Sequence, residues 1–76
     1  MIVVATSDFE VYHGVVNELR ERGTTFTTVE PDAELPDHTD VVVTGGAHAD
    51  DFAGVPTIIA DPDDPRRAVD QALAAV

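Results

Sequence analysis

The 76-residue chain contains no cysteine, no tryptophan and no lysine, and only four aromatic residues. Without cysteine there is no disulfide, no thiolate zinc site, no iron–sulfur cluster and no cysteine nucleophile. No stretch approaches the roughly 20 apolar residues of a membrane span. The opening MIVVATSDFE lacks the basic segment of a secretory leader, so a cytoplasmic protein without membrane contact is expected. Positive charge is scarce, with four arginines against fifteen Asp and Glu and a formal net charge of −11. Affinity for a phosphate backbone comes chiefly from Lys and Arg releasing counterions, so direct nucleic-acid binding is not expected.

The acid excess has a physical consequence of its own. A surface of one sign repels itself, and this repulsion is largely screened once the Debye length falls to about 3 Å near 1 M salt. Folding is therefore expected to strengthen with salt. Arginine without lysine, together with many Asp, Ala, Val and Thr, resembles the composition of cytosolic proteins from haloarchaea. The acidity is read as habitat, with a decoy surface for a basic partner as its functional rival.

Along the chain, Ile2–Ala5 is a short apolar run bounded by Thr6, Ser7 and Asp8, the pattern of a buried parallel strand. Ser7 and Glu10 have capping-box spacing, which starts a helix there. Phe9, Tyr12, Val16 and Leu19, with Val15 beside them, form its expected apolar stripe, and Gly23 its stop. Gly14 inside that helix costs about 1 kcal/mol relative to Ala and is expected to mark a close approach to the sheet. Residues 24–29 give a second strand near an edge, and 30–39 a connecting loop pinned by Leu35. Residues 40–44, DVVVT, form the clearest central strand, ended by Gly45 and Gly46. A short helical turn is expected over 48–52 and a fourth strand over 57–60. Asp64 and Pro65 then open a terminal helix with Ala68, Val69, Ala72, Leu73 and Val76 on one face.

This order predicts a single α/β domain over 1–76, with a small open parallel four-stranded sheet, flavodoxin-like or half-Rossmann, of strand order 2-1-3-4. Both long helices should share one face. The runs VVV and II call for burial on both sides, yet only a loop and a short turn remain for the second face. A homodimer partner or a neighbouring domain is therefore expected to cover it.

Open α/β sheets collect ligands at the carboxyl ends of their strands, near the point where strand order reverses. That rim would hold Thr6, Ser7 and Asp8, then Thr44, Gly45, Gly46 and His48, then Asp61. One reading makes it an anion cradle of first-turn amides with the glycine pair close by, although no GxGxxG or GxxxxGK[ST] motif is present. Another takes Asp8, Asp61 and Asp63 as Mg²⁺ ligands, similar to the acidic pocket of a phospho-receiver domain. Against that comparison, the central strand ends in Thr44 where a receiver has its acceptor Asp, and there is no Lys to contact a phosphoryl group. Asp63 and Asp64 have the simpler role of helix capping. Histidine is the residue type suited to acid/base work near neutrality, and of His13, His38 and His48 only His48 is expected on the rim.

The segments MIVVATSDFEVYHGVVNELRERG, DVVVT and DPDDPRRAVDQALAAV resemble the small N-terminal α/β segment of archaeal RuvC-like, RNase H-fold proteins. That resemblance places the catalytic carboxylates in a following domain and assigns none here. MIVVATSD and DVVVTGGAHADD are also similar to iron–molybdenum-cofactor-binding domains. The expected function is that of a non-catalytic interaction or accessory module with no cofactor. The alternative is a domain binding a small molecule, an anion or Mg²⁺ at the rim.

Overall fold

The computed structural model describes residues 1–46, 52 and 54–76. In chain order they form β1 (Ile2–Ala5), α1 (Phe9–Glu21), β2 (Phe26–Val29), β3 (Val41–Thr44), β4 (Thr57–Ile59) and α2 (Pro65–Ala75). The expected turn over 48–52 lies outside the described residues, apart from Phe52.

All strands run parallel in the order β2-β1-β3-β4. Ile2 is level with Phe26 on one side and Val41 on the other, and Val43 is level with Ile58. The centre of the sheet follows from composition, since IVVA and VVVT are buried at every position as β-branched strands covered on both faces require. β2, FTTV, is only partly buried and takes an edge. This is the flavodoxin-like arrangement expected from the sequence.

α1 begins one residue later than the capping-box spacing implied. Asp8 is the N-cap, its Oδ1 accepting from the amides of Glu10 at 3.0 Å and Val11 at 3.4 Å. A carboxylate there both satisfies first-turn donors and faces the positive end of the helix dipole. At the other end Gly23 has φ +66°, with its amide bonded to the Arg20 carbonyl and that of Thr24 to the Leu19 carbonyl. These two bonds make a Schellman stop, which only a residue at ease with positive φ closes without strain.

The apolar stripe of α1 buries Val15, Val16 and Leu19 as expected, with Val11 in place of Phe9. Val11, Val15 and Leu19, spaced i, i+4 and i+8, meet Ile2, Val4, Val41 and Val43 of the sheet and Ala68, Val69 and Ala72 of α2. Phe9 is instead 71% exposed and stacks on exposed His13 with ring centroids 4.7 Å apart, while Tyr12 is half-buried. On α2, Val76 lies past the last helical turn and is exposed rather than on the buried face.

The two helices lie side by side on one face and meet closely. A Cβ placed on Gly14 would sit 3.0 Å from Cβ and Cγ of Pro65, so the glycine serves the approach of α2 and not, as expected, that of the sheet. Farther along, Arg22 pairs with Glu18 at 3.3 Å and with Asp70, and Arg66 reaches Glu18 at 3.5 Å. The hydrogen bond that Arg22 donates to Asp70, opposed by partial desolvation and helped by Glu18, raises the guanidinium above its ordinary range. A group with a raised pKa in the fold contributes fully below its unfolded value, so deprotonation of Arg22 removes this contribution only in the strongly alkaline range.

On the second face of the sheet Val3, Ala5 and Val42 are buried by Phe52, with Leu35, Val29 and Val55 packed against them. One ring and a few branched side chains suffice to cover three small strand residues. The accessible surface, 4520 Å², is close to the roughly 4,500 Å² typical of a folded monomer of this mass.

Candidate functional site

At the carboxyl rim, β1 and β3 deliver their following residues to a common place. Thr6 Oγ1 accepts the Asp8 amide at 3.0 Å, which sets the turn into α1. Gly45 is buried beside this turn, and a Cβ on it would lie 3.2 Å from Thr6 Oγ1 and 3.7 Å from Asp8 Cβ. Thr6, Asp8 and Gly45 are therefore brought together as the sequence implied. Ser7 and Gly46 are exposed at the same rim. His48 lies outside the described residues.

Thr44 is the residue whose environment the sequence did not disclose. It is fully buried, and its Oγ1 has no hydrogen-bond partner among the described residues. Val43 belongs to the helix-side core and Val42 to the opposite one, so strand alternation puts the Thr44 side chain on the Phe52 side. Its main chain is satisfied in the sheet, the carbonyl accepting the Ala60 amide at 2.8 Å. A buried hydroxyl without a partner costs about 1–3 kcal/mol, and nothing in a run such as DVVVT marks one threonine as such a site.

The rim carboxylates are occupied with local turns. Asp8 caps α1, Asp61 Oδ1 accepts the Asp63 amide at 2.9 Å, and Asp64 Oδ1 accepts the Arg67 amide at 3.3 Å as the N-cap of α2. Asp61 and Asp64 are also bridged through the main chain, with the Asp64 amide on the Asp61 carbonyl at 3.0 Å. Among the described residues no group of three or more His, Asp or Glu is placed to hold a metal ion. Asp8, Asp61 and Asp63 thus form no such group. Of the other histidines, His38 is exposed in the connecting loop, and His13 meets Phe9 away from the rim.

Two shallow clefts flank the rim. One, of about 340 Å³, is lined by Thr6, Tyr12, Thr28, Val29 and Glu30 at the ends of β1 and β2. The other, of about 200 Å³, lies between the end of β4 and α2 and is lined by Ile59, Asp61, Asp64, Arg67, Ala68 and Gln71. The first carries three hydroxyls and the Glu30 carboxylate, and the second the Asp61 and Asp64 carboxylates with the Arg67 guanidinium. No described helix is long and apolar enough to cross a membrane.

No curated protein and no solved structure matches the chain. A family model described as a response regulator receiver-like domain matches residues 1–76. This match overturns the resemblance to the N-terminal segment of RuvC-like proteins, which rested on strand and helix patterns that many parallel α/β domains share. The sequence had set a receiver comparison aside because Thr44 ends the central strand and lysine is absent, and both departures remain within the matched family. With its sheet order 2-1-3-4 and the match over its whole length, the chain belongs to the response regulator receiver-like domain family.

Proposed function

We propose that this chain is a receiver-like module that works by docking and not by phosphoryl transfer. The observation that carries the reading is Thr44. At the end of β3, where a phospho-receiver presents its acceptor Asp, stands a neutral side chain with 0% exposure. A hydroxyl sealed from solvent is open neither to a phosphodonor nor to Mg²⁺. The neighbouring carboxylates are held in capping and turn bonds, and no lysine exists to neutralise a phosphoryl group.

What remains is a rigid parallel sheet with an acidic surface, displayed to other macromolecules. The setting we assign to it is the cytoplasm of a halophilic archaeon, supported by the charge of −11 and by arginine in place of lysine. The function tested is accordingly signal relay or scaffolding through contact, either with another protein or with a second copy of the chain. The rim as a small-ligand site is the competing reading, favoured by the hydroxyl-lined cleft of Thr6, Tyr12 and Thr28.

Two measurements at molar salt separate these readings. Incubation with acetyl phosphate and Mg²⁺, followed by intact-mass spectrometry, should give no phosphoryl adduct. Thermal melts with Mg²⁺, nucleotides or sugar phosphates should not move, whereas a ligand at 100 times its Kd would add about 2.7 kcal/mol. An adduct, or a shift of that size, would overturn the docking reading.

A further inference from the structure

The sheet has two open edges, and they differ. β2 ends it on one side and β4 on the other. Along β4 the ladder to β3 is fixed by the Val42 amide on the Pro56 carbonyl at 2.9 Å and the Ala60 amide on the Thr44 carbonyl at 2.8 Å. Successive residues of a strand turn their main-chain groups to alternate sides, so Thr57 and Ile59 direct N–H and C=O away from β3. Among the described residues no strand lies beyond them, and such a row of groups is a template for another strand.

Proteins usually blunt an edge of this kind with lysine, proline or an inward charge. β4, reading Thr-Ile-Ile, has none of these within it, and Ile59 is 47% exposed. β2 is the more polar edge, with two central threonines, and the Thr27 hydroxyl donates to Met1 Sδ at 3.0 Å. Beside the end of β4 lies the cleft walled by α2 and lined by Ile59, Asp61, Asp64, Arg67, Ala68 and Gln71.

We infer that the free edge of β4 takes up an extended, cationic segment of a partner protein as a fifth strand. The inference rests on the docking reading above and gives it a surface and a partner chemistry. Main-chain hydrogen bonds to Thr57 and Ile59 supply the affinity, as in other cases of strand addition. Charge selects the occupant. Exposed Asp61, Asp63 and Asp64 follow directly on the strand, and Asp61 and Asp64 each commit only Oδ1 to a neighbouring amide. Basic side chains of an added strand would lie against them, and pairs in contact keep part of their attraction even with a Debye length of about 3 Å. A second copy would instead bring another charge of −11 to the same edge.

The test uses ¹⁵N-labelled protein at molar salt and a short peptide of alternating lysine and valine. Amide exchange of Thr57 and Ile59 should slow by about tenfold or more on saturation, while the β2 amides keep their rates. Ile59→Pro removes an outward donor without removing a ladder bond, so it should fold and lose the effect. Ile59→Lys, which leaves the backbone intact, should weaken it by charge repulsion and serves if the proline variant is unfolded. Four results overturn the assignment: no protection; protection at β2 instead; equal effect from a lysine–glycine–serine peptide of the same charge; or concentration-dependent protection without peptide, which would make a second copy the occupant. None of these alters the phosphodonor and melt measurements, so failure here and failure of the docking reading are told apart.

Discussion

Replacing Thr44 by valine exchanges a buried hydroxyl, without a partner among the described residues, for a methyl group of nearly the same shape. Both residues are β-branched, so the strand conformation is unaffected. Removing the unsatisfied donor relieves a cost of about 1–3 kcal/mol, and the added methyl buries apolar surface on the Phe52 side at about 0.8 kcal/mol. Some of this is lost to imperfect fit, and the net gain expected is about 1–2 kcal/mol. For a chain of this size each kcal/mol raises Tm by roughly 4–8 °C. Urea denaturation at a fixed molar salt concentration is the assay, with a higher midpoint and an unchanged slope as the signature. Thr44→Ser, which keeps the hydroxyl and loses the methyl, should fall by about 1 kcal/mol. A loss of more than about 1 kcal/mol in Thr44→Val would mean that the hydroxyl has a partner in solution, and the argument that this position is chemically idle would be wrong.

Other consequences are as direct. Phe52→Ala removes the ring that covers Val3, Ala5 and Val42, and should cost about 3–5 kcal/mol, a large part of the 4–11 kcal/mol or so available to such a domain. Far-UV circular dichroism should then show a substantially unfolded population at ambient temperature, and a near-native melt would refute the role given to this residue. Gly14→Ala gains about 1 kcal/mol of helix propensity but drives a methyl onto the rigid ring of Pro65, so a net loss on the order of 1 kcal/mol is expected in urea titration. A stabilised variant would show that α2 can yield. Lowering the salt from about 1 M to 0.01 M lengthens the Debye length from 3 Å to about 30 Å, and stability should fall progressively as the carboxylates begin to repel. A melting temperature independent of NaCl concentration would show that the net charge of −11 is not what limits folding.

The fold was readable because its signals were strong and local. Continuous β-branched runs at Ile2–Ala5 and Val41–Thr44 leave little choice but the centre of a parallel sheet, and the order of elements then limits the topology. Finer placement depended on tertiary contacts. Capping spacing allowed either Ser7 or Asp8, and the carboxylate prevailed. Periodicity found Val15, Val16 and Leu19 on α1 but chose Phe9 over Val11, which contact with Ile2, Val4 and α2 selects. Leu35 pins its loop as expected, whereas the closure of the second face by Phe52 was hidden for a different reason. Such contacts join residues far apart in the chain through segments without a regular period, and no local pattern announces them. At the rim, the meeting of Thr6, Asp8 and Gly45 followed from topology, whereas the isolation of the Thr44 hydroxyl depended on the packing around it.

The seam between α1 and α2 alters how the molecule meets its solvent. Two of the four guanidinium groups, Arg22 and Arg66, are held there with Glu18 and Asp70, so half of the arginine charge meets just two of the fifteen carboxylates. Seen from outside, the particle is close to a pure polyanion, and it carries a dense sheath of hydrated sodium or potassium as it diffuses. Any macromolecule that docks on it must first displace that sheath, so the entropy of released ions contributes to every encounter and tunes its strength to the salinity of the surroundings.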